Sequence, residues 1–215
     1  MSNTNTAPPS RTVAVIVGGI VLVSILALVA VIASNSGDSA TDEAEQAGLE
    51  QQRAVSVQGA HLPVLGAGAD PAVGTQIPTL DGEDFDGEPV TIAPGGTPKL
   101  LAFLAHWCPH CQAEVPRLVE AMGGGDTIDG VPVFGVSTGT DESQPNYPPS
   151  AWLSGEGWSA PVIADDMGNH AAEAFGLSGF PFFVAVDADG NVVARTSGEL
   201  SAEDVQALAA AASAT

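Results

Sequence analysis

The sequence predicts an α/β fold, a central mixed sheet flanked by helices, carried behind a single N-terminal transmembrane helix. Three observations predict it. From Gly74 onward, short apolar runs bounded by turn residues alternate with helix-length segments. Thr12–Ala33, TVAVIVGGIVLVSILALVAVIA, is 22 residues without a charge, and a bilayer core needs about 20 apolar residues in a helix. Between these regions, residues 34–73 are rich in Ala, Gly, Ser, Gln and acids and poor in large aliphatics, a linker composition.

Residues 1–11 form a short tail ending at Arg11, whereas Asp38, Asp42, Glu43 and Glu45 follow the span. Cationic flanks stay cytoplasmic. The tail is therefore expected inside the cell and the rest of the chain outside it, anchored in the cell membrane. The apolar run exceeds the roughly 7–15 residues of a signal-peptide core, so the anchor is expected to be retained. Residues 34–73 then read as a flexible acidic linker reaching on the order of 35 Å.

The folded domain is expected over residues 74–215. Lys99–Ala105 (KLLAFLA) reads as a buried strand. Gln112–Met122 reads as a helix, stopped by Gly123-Gly124-Gly125. Val131–Ser137 and Ala160–Ala164 are two further strands, and Asn169–Phe175 is a helix ending at Gly176. Phe182–Val186 and Val192–Thr196 flank the turn residues Asp187–Asn191 as a hairpin. Ser201 then caps a helix through about Ala212, with Glu203 and Asp204 in its first turn.

Composition removes several classes of function. The chain carries 26 acidic and 5 basic side chains, a formal net charge of −21. No basic groove for nucleic acid can be built from one Lys and four Arg. From Asp81 onward, 20 acids face only Lys99, Arg117 and Arg195, so the expected domain is itself strongly anionic. Two cysteines exclude a multi-bridge scaffold and a four-cysteine zinc site.

Those two cysteines lie in His106-Trp107-Cys108-Pro109-His110-Cys111-Gln112, between a buried strand and a helix. At this spacing the first helical turn brings both sulfurs together, and the helix N-terminus favours thiolate over thiol. Cys108 is expected at the exposed start of the helix and Cys111 one turn in, more buried. The chemistry that follows is attack by Cys108 on a substrate disulfide and resolution of the mixed disulfide by Cys111. Zinc would need two further ligands at a second motif, and haem attachment would need His after Cys111, where Gln112 stands. A purely structural bond would close a tiny loop and stabilise little. His110 inside the motif can stabilise a Cys108 thiolate and make the disulfide more oxidising. Trp107 can shield the site, and Glu114, three residues after Cys111, shares its helix face. His106 reads as a loop residue beside the site, His61 and His170 as surface residues. Asp165-Asp166 and the Asp81–Glu88 run read as solvated turns.

With these residues in place, the domain resembles the thioredoxin-like proteins, specifically the membrane-tethered extracytoplasmic TlpA/ResA type. The resemblance rests on Gly74–Gly82 (GTQIPTLDG) as the opening segment, then Phe85 and the Val90-Thr91-Ile92 strand. It continues through WCPHCQAEVP and through Gly179-Phe180-Pro181 with the following strand and Asp-Gly hairpin. It implies a thioredoxin-like fold, a redox-active Cys108–Cys111 disulfide as the working group with no other cofactor and no metal, and a membrane redox partner that recycles the pair. It further implies that Glu114 acts as a proton acceptor for the buried thiol. Phe180 would precede a cis Pro181 that sits against Cys108 and receives extended peptide. Trp107, Pro109 and His110 would tune the pair.

The resemblance leaves the direction of electron flow open. The architecture suggests reduction of apocytochrome or other protein thiols. The Pro109-His110 dipeptide instead matches DsbA-like oxidants, and Phe180 is bulkier than the residue often found before the cis-proline. Two other classes stand beside a thiol–disulfide oxidoreductase. One is a copper metallochaperone using Cys108, Cys111 and His106 or His110, since soft thiolates suit Cu(I). The other is a catalytically silent docking domain with a structural disulfide.

Overall fold

A computed structural model describes residues 50–214. The tail, the span over Thr12–Ala33 and linker residues 34–49 lie outside the described residues. Among the described residues no helix is long and apolar enough to cross a membrane.

The chain order is β1 (Ser56–Gln58), β2 (Thr79–Glu83), β3 (Pro89–Ile92), β4 (Lys99–Leu104), α1 (Pro109–Met122), β5 (Thr127–Ile128) and β6 (Val131–Ser137). It continues with α2 (Pro149–Gly155), β7 (Val162–Ala164), α3 (His170–Ala174), β8 (Phe182–Val186), β9 (Val192–Ser197) and α4 (Ala202–Ser213). The expected strands and helices from Lys99 onward are therefore present, most within two residues of their expected bounds. The motif helix starts three residues earlier than expected, because Pro109 enters at its first turn, where a missing N–H costs nothing.

β4 is buried at every residue because both faces of its sheet are covered. The main sheet runs β5-β6-β4-β8-β9, with β7 also pairing β6. β4 is parallel to β6 and antiparallel to β8, so the sheet is mixed, as expected. Alternation along β4 divides the core. Leu100, Ala102 and Leu104 face Val115 and Leu118 of α1 and Val205 and Ala209 of α4. Leu101 and Phe103 face the other way, onto Leu80, Ile92, Ile163 and Phe175. Phe103 packs against Phe175 and Phe182 at ring centroid distances of 5.3 and 5.8 Å.

Two termini hold α1 and α4 in place. Gly123 ends α1 in the left-handed region at φ 61°, and its N–H returns to Val119 and Glu120 carbonyls. Ser201 caps α4 through a reciprocal pair with Asp204. Pro116 lies inside α1, which continues to Met122.

Residues 50–73 correct the expected linker. β1 pairs antiparallel with β2, which pairs with β3 in a separate three-stranded sheet. Leu62 and Ala72 are buried in the core beneath β4 and β8. The Leu62 N–H donates to the Ala174 carbonyl and the Leu65 N–H to the Gly176 carbonyl. Arg195 of β9, with a fully buried side chain, donates to both carboxylate oxygens of Asp70 and to the Pro63 and Phe175 carbonyls. Composition read this segment as linker because its anchors are few and the partners of Leu62, Leu65 and Asp70 lie more than a hundred residues away. Gly176, at φ 66°, permits the close approach: a Cβ there would run into the Pro63 carbonyl.

Candidate active site

Cys108 is the N-cap of α1, with extended backbone at φ −74° and ψ 119°. Its N–H donates to the Ala105 carbonyl at the end of the β4 run, and its carbonyl accepts from Gln112 N–H. The strand-to-helix turn thus fixes the sulfur above the sheet. Cys111, one turn in, adjoins it, and both are free thiols.

Cys108 is 5% exposed and Cys111 fully buried. The depth order is the expected one, but Cys108 is more covered than a helix start alone implies. The cover comes from a distant loop. Cys108 Sγ lies 4.0 Å from the Phe180 carbonyl oxygen, and the Phe180–Pro181 bond is cis, as the resemblance implied. Phe180 meets Trp107 edge-on at 5.8 Å, and Trp107 Nε1–H donates to the Gly139 carbonyl at 2.7 Å. Trp107 is therefore held on two sides as a wall of the site. Beside this wall opens a cavity of about 280 Å³ lined by Thr138, Gly139, Asn169, Leu177 and Phe180. A larger cavity of about 750 Å³, between Phe85 and Trp158, shares no residue with the cysteine site.

Burial pushes the Cys111 thiol far up, and the nearby Cys108 and Glu114 charges push the same way. Glu114 is fully buried on the same helix face. Its Oε2 accepts from Arg117 at 3.1 Å and from the Leu200 N–H at 3.0 Å. Its Oε1 is buried with no hydrogen-bond partner among the described residues. Burial raises the Glu114 carboxyl above the ordinary range, against the opposing Leu200 and Arg117 bonds. A half-satisfied carboxyl beside a hard-to-ionise thiol is suited to taking that thiol's proton.

His110 is exposed, and its Nδ1 lies 2.7 Å from Glu199 Oε1. His106 lies in the turn between β4 and α1 beside the site, as expected. It is fully buried, with Nδ1 2.8 Å from the Pro145 carbonyl and Nε2 accepting the Asp141 N–H at 3.2 Å. Burial lowers its tendency to protonate. Asp165 is likewise buried rather than solvated. It accepts N–H groups from Asp166, Ala171 and Ala172 and so starts α3, and burial raises its carboxyl. His61 and His170 are at the surface, as expected.

The structure thus brings together Trp107, Cys108, Pro109, His110, Cys111, Glu114, Phe180 and Pro181. It adds Glu199, Leu200, Gly139 and Asn169, which sequence reasoning missed. Asn169, at φ 57°, accepts the Gly139 N–H and Thr138 hydroxyl and so fixes the loop under Trp107. Local pattern carries no signal for such residues. Among the described residues no cluster of three or more His, Cys, Asp or Glu could hold a metal.

The family model described as Redoxin matches residues 72–211. The "Thiol:disulfide interchange protein DsbE homolog" of Paracoccus denitrificans is 32% identical over 106 residues, 49% of this chain and 54% of the relative. The "Methylamine utilization protein MauD" of Methylophilus methylotrophus is 29% identical over 58% of this chain and 56% of its own. The chain therefore spans little more than half the length of these two relatives. It covers 74% of the "Thiol:disulfide interchange protein HelX" of Rhodobacter capsulatus, at 29% identity over 67% of this chain. Among solved structures, a thiol:disulfide interchange protein of the thioredoxin family from Chlorobium tepidum aligns with a TM-score of 0.54 at 26% identity. That alignment covers 67% of this chain and 99% of the other. MTB dsbF, solved in mixed oxidized and reduced forms, gives 0.52 at 25% identity, covering 62% and 94%.

Proposed function

The chain belongs to the Redoxin family, with a thioredoxin-like α/β fold and relatives that are thiol–disulfide oxidoreductases, and from that premise we propose that it is an extracytoplasmic enzyme, anchored by residues 12–33, that exchanges disulfides with protein substrates through Cys108 and Cys111. The observation that carries the reading is the placement of Cys108 Sγ at the head of α1, against the Phe180 carbonyl, with Cys111 buried behind it.

In the reducing direction, the Cys108 thiolate attacks one sulfur of a substrate disulfide. A Cys108–substrate bond forms and the other substrate sulfur leaves as a thiolate. Glu114 Oε1 takes the Cys111 proton, and Cys111 attacks Cys108 Sγ. The second substrate sulfur then leaves as a thiolate, and the substrate has gained two electrons. A membrane redox partner returns the pair to dithiol. Oxidation runs the same steps backwards. The backbone at Phe180 and Pro181 receives the substrate chain as an added strand, with Trp107 and the adjoining cavity flanking it.

Copper binding loses support at the histidines: both ring nitrogens of His106 are engaged, and His110 is tied to Glu199. Equilibration with glutathione redox buffers tests the enzyme reading. A single two-electron transition of the cysteine pair, abolished by Cys108→Ala, supports it. A pair that does not titrate refutes it.

A further inference from the structure

One surface dipeptide closes on the neighbours of both cysteines. Glu199 and Leu200 lie in the turn between β9 and α4. Glu199 Oε1 is 2.7 Å from His110 Nδ1, and Oε2 accepts from Arg117 at 2.9 Å. The same Arg117 nitrogen donates to Glu114 Oε2 at 3.1 Å, and the Leu200 N–H reaches that oxygen at 3.0 Å. A continuous path of polar contacts therefore runs from the histidine between the cysteines to the buried carboxyl beside Cys111.

The path bears on the direction of electron flow. A cationic imidazole beside Cys108 stabilises the thiolate, hence the reduced form, and makes the disulfide a stronger oxidant. A carboxylate in contact with that ring cancels much of its field, because a close ion pair acts at a distance as a dipole. Arg117 fixes the carboxylate from its other oxygen, so the cancellation is built into the turn rather than left to a free side chain.

Resting on the oxidoreductase reading above, we propose that Glu199 is a positioning residue that restrains and neutralises His110, and so keeps the Cys108–Cys111 pair more reducing than its Pro-His dipeptide alone would make it.

The test is the glutathione equilibrium of the full chain. In it two glutathione thiols become one glutathione disulfide as the Cys108–Cys111 disulfide becomes two thiols. Glu199→Gln is expected to move the constant toward dithiol by about three- to fivefold, fivefold being about 20 mV, the scale of one partly exposed charge pair. In a His110→Ala background the same substitution should move it by less than about twofold, and Glu199→Asp should stay near the wild-type value. An unchanged constant in Glu199→Gln, or an equal shift with and without His110, overturns the proposal while the enzyme reading stands. A wild-type pair that fails to equilibrate at any glutathione ratio overturns both.

Discussion

Asp70→Asn tests whether residues 60–73 belong to the folded domain. The substitution keeps the shape of the side chain and removes its charge, leaving the Arg195 guanidinium fully buried without a counter-ion. Removing one partner of a buried ion pair costs about 3–5 kcal/mol. Arg195 would keep its bonds to the Pro63 and Phe175 carbonyls, which places the cost at the lower end, about 3 kcal/mol. With a urea slope of about 2 kcal/mol per molar, the unfolding midpoint should fall by roughly 1.5 M. The pH dependence follows from the sign of the shift. The Arg195 hydrogen bonds, helped by the Ala72 N–H and opposed by burial, hold the Asp70 carboxyl below its ordinary range. A depressed carboxyl stabilises the fold above its unfolded value of about 3.9, and the contribution is lost as pH falls through the folded value. The gap between wild type and variant should therefore be full at pH 6 and close in strong acid. Urea unfolding at both pH values measures it. A loss under about 0.5 kcal/mol at pH 6, or a gap that does not change with pH, would show that the Asp70–Arg195 pair does not hold this segment in the fold.

Two more predictions concern Gly176, in the same contacts, and Glu114, beside the cysteine pair. Gly176→Ala puts a Cβ against the Pro63 carbonyl at a positive φ, and the strain and overpacking should cost about 3 kcal/mol by urea unfolding; a neutral result would mean that the 60–73 segment does not sit there. Glu114→Gln should slow resolution of a mixed disulfide about a hundredfold near neutral pH, read by stopped-flow mixing. It should also raise stability there, because a buried carboxyl with a raised pKa costs the fold more as pH climbs past its unfolded value of about 4.3.

The strands of the main sheet were legible because β4, β6 and β8 are covered on both faces and so appear as uninterrupted apolar runs. α1 and α4 announced their ends through Gly123 and Ser201, whose effects are local. The cysteine pair was legible for the same reason, since one helical turn contains its geometry. What local pattern could not show is what distant residues close upon. Arg195 meets Asp70 across 125 positions and His110 meets Glu199 across 89, so the 50–73 segment read as linker and Glu199 carried no signal. α2, in YPPSAWLSG, is short and led by prolines, and β1, β2 and β5 are short or polar. Asp165 looked solvated because burial of a polar group becomes visible only once its backbone partners are in place.

The most direct test of the account is to trap the intermediate. The chain has only two cysteines, so in Cys111→Ala any covalent adduct with a protein disulfide must run through Cys108. A stable mixed disulfide is expected, seen as a mass increase of one substrate chain and reversed by dithiothreitol, with none in Cys108→Ala. Absence of the adduct in Cys111→Ala, with the substrate disulfide intact, would contradict it.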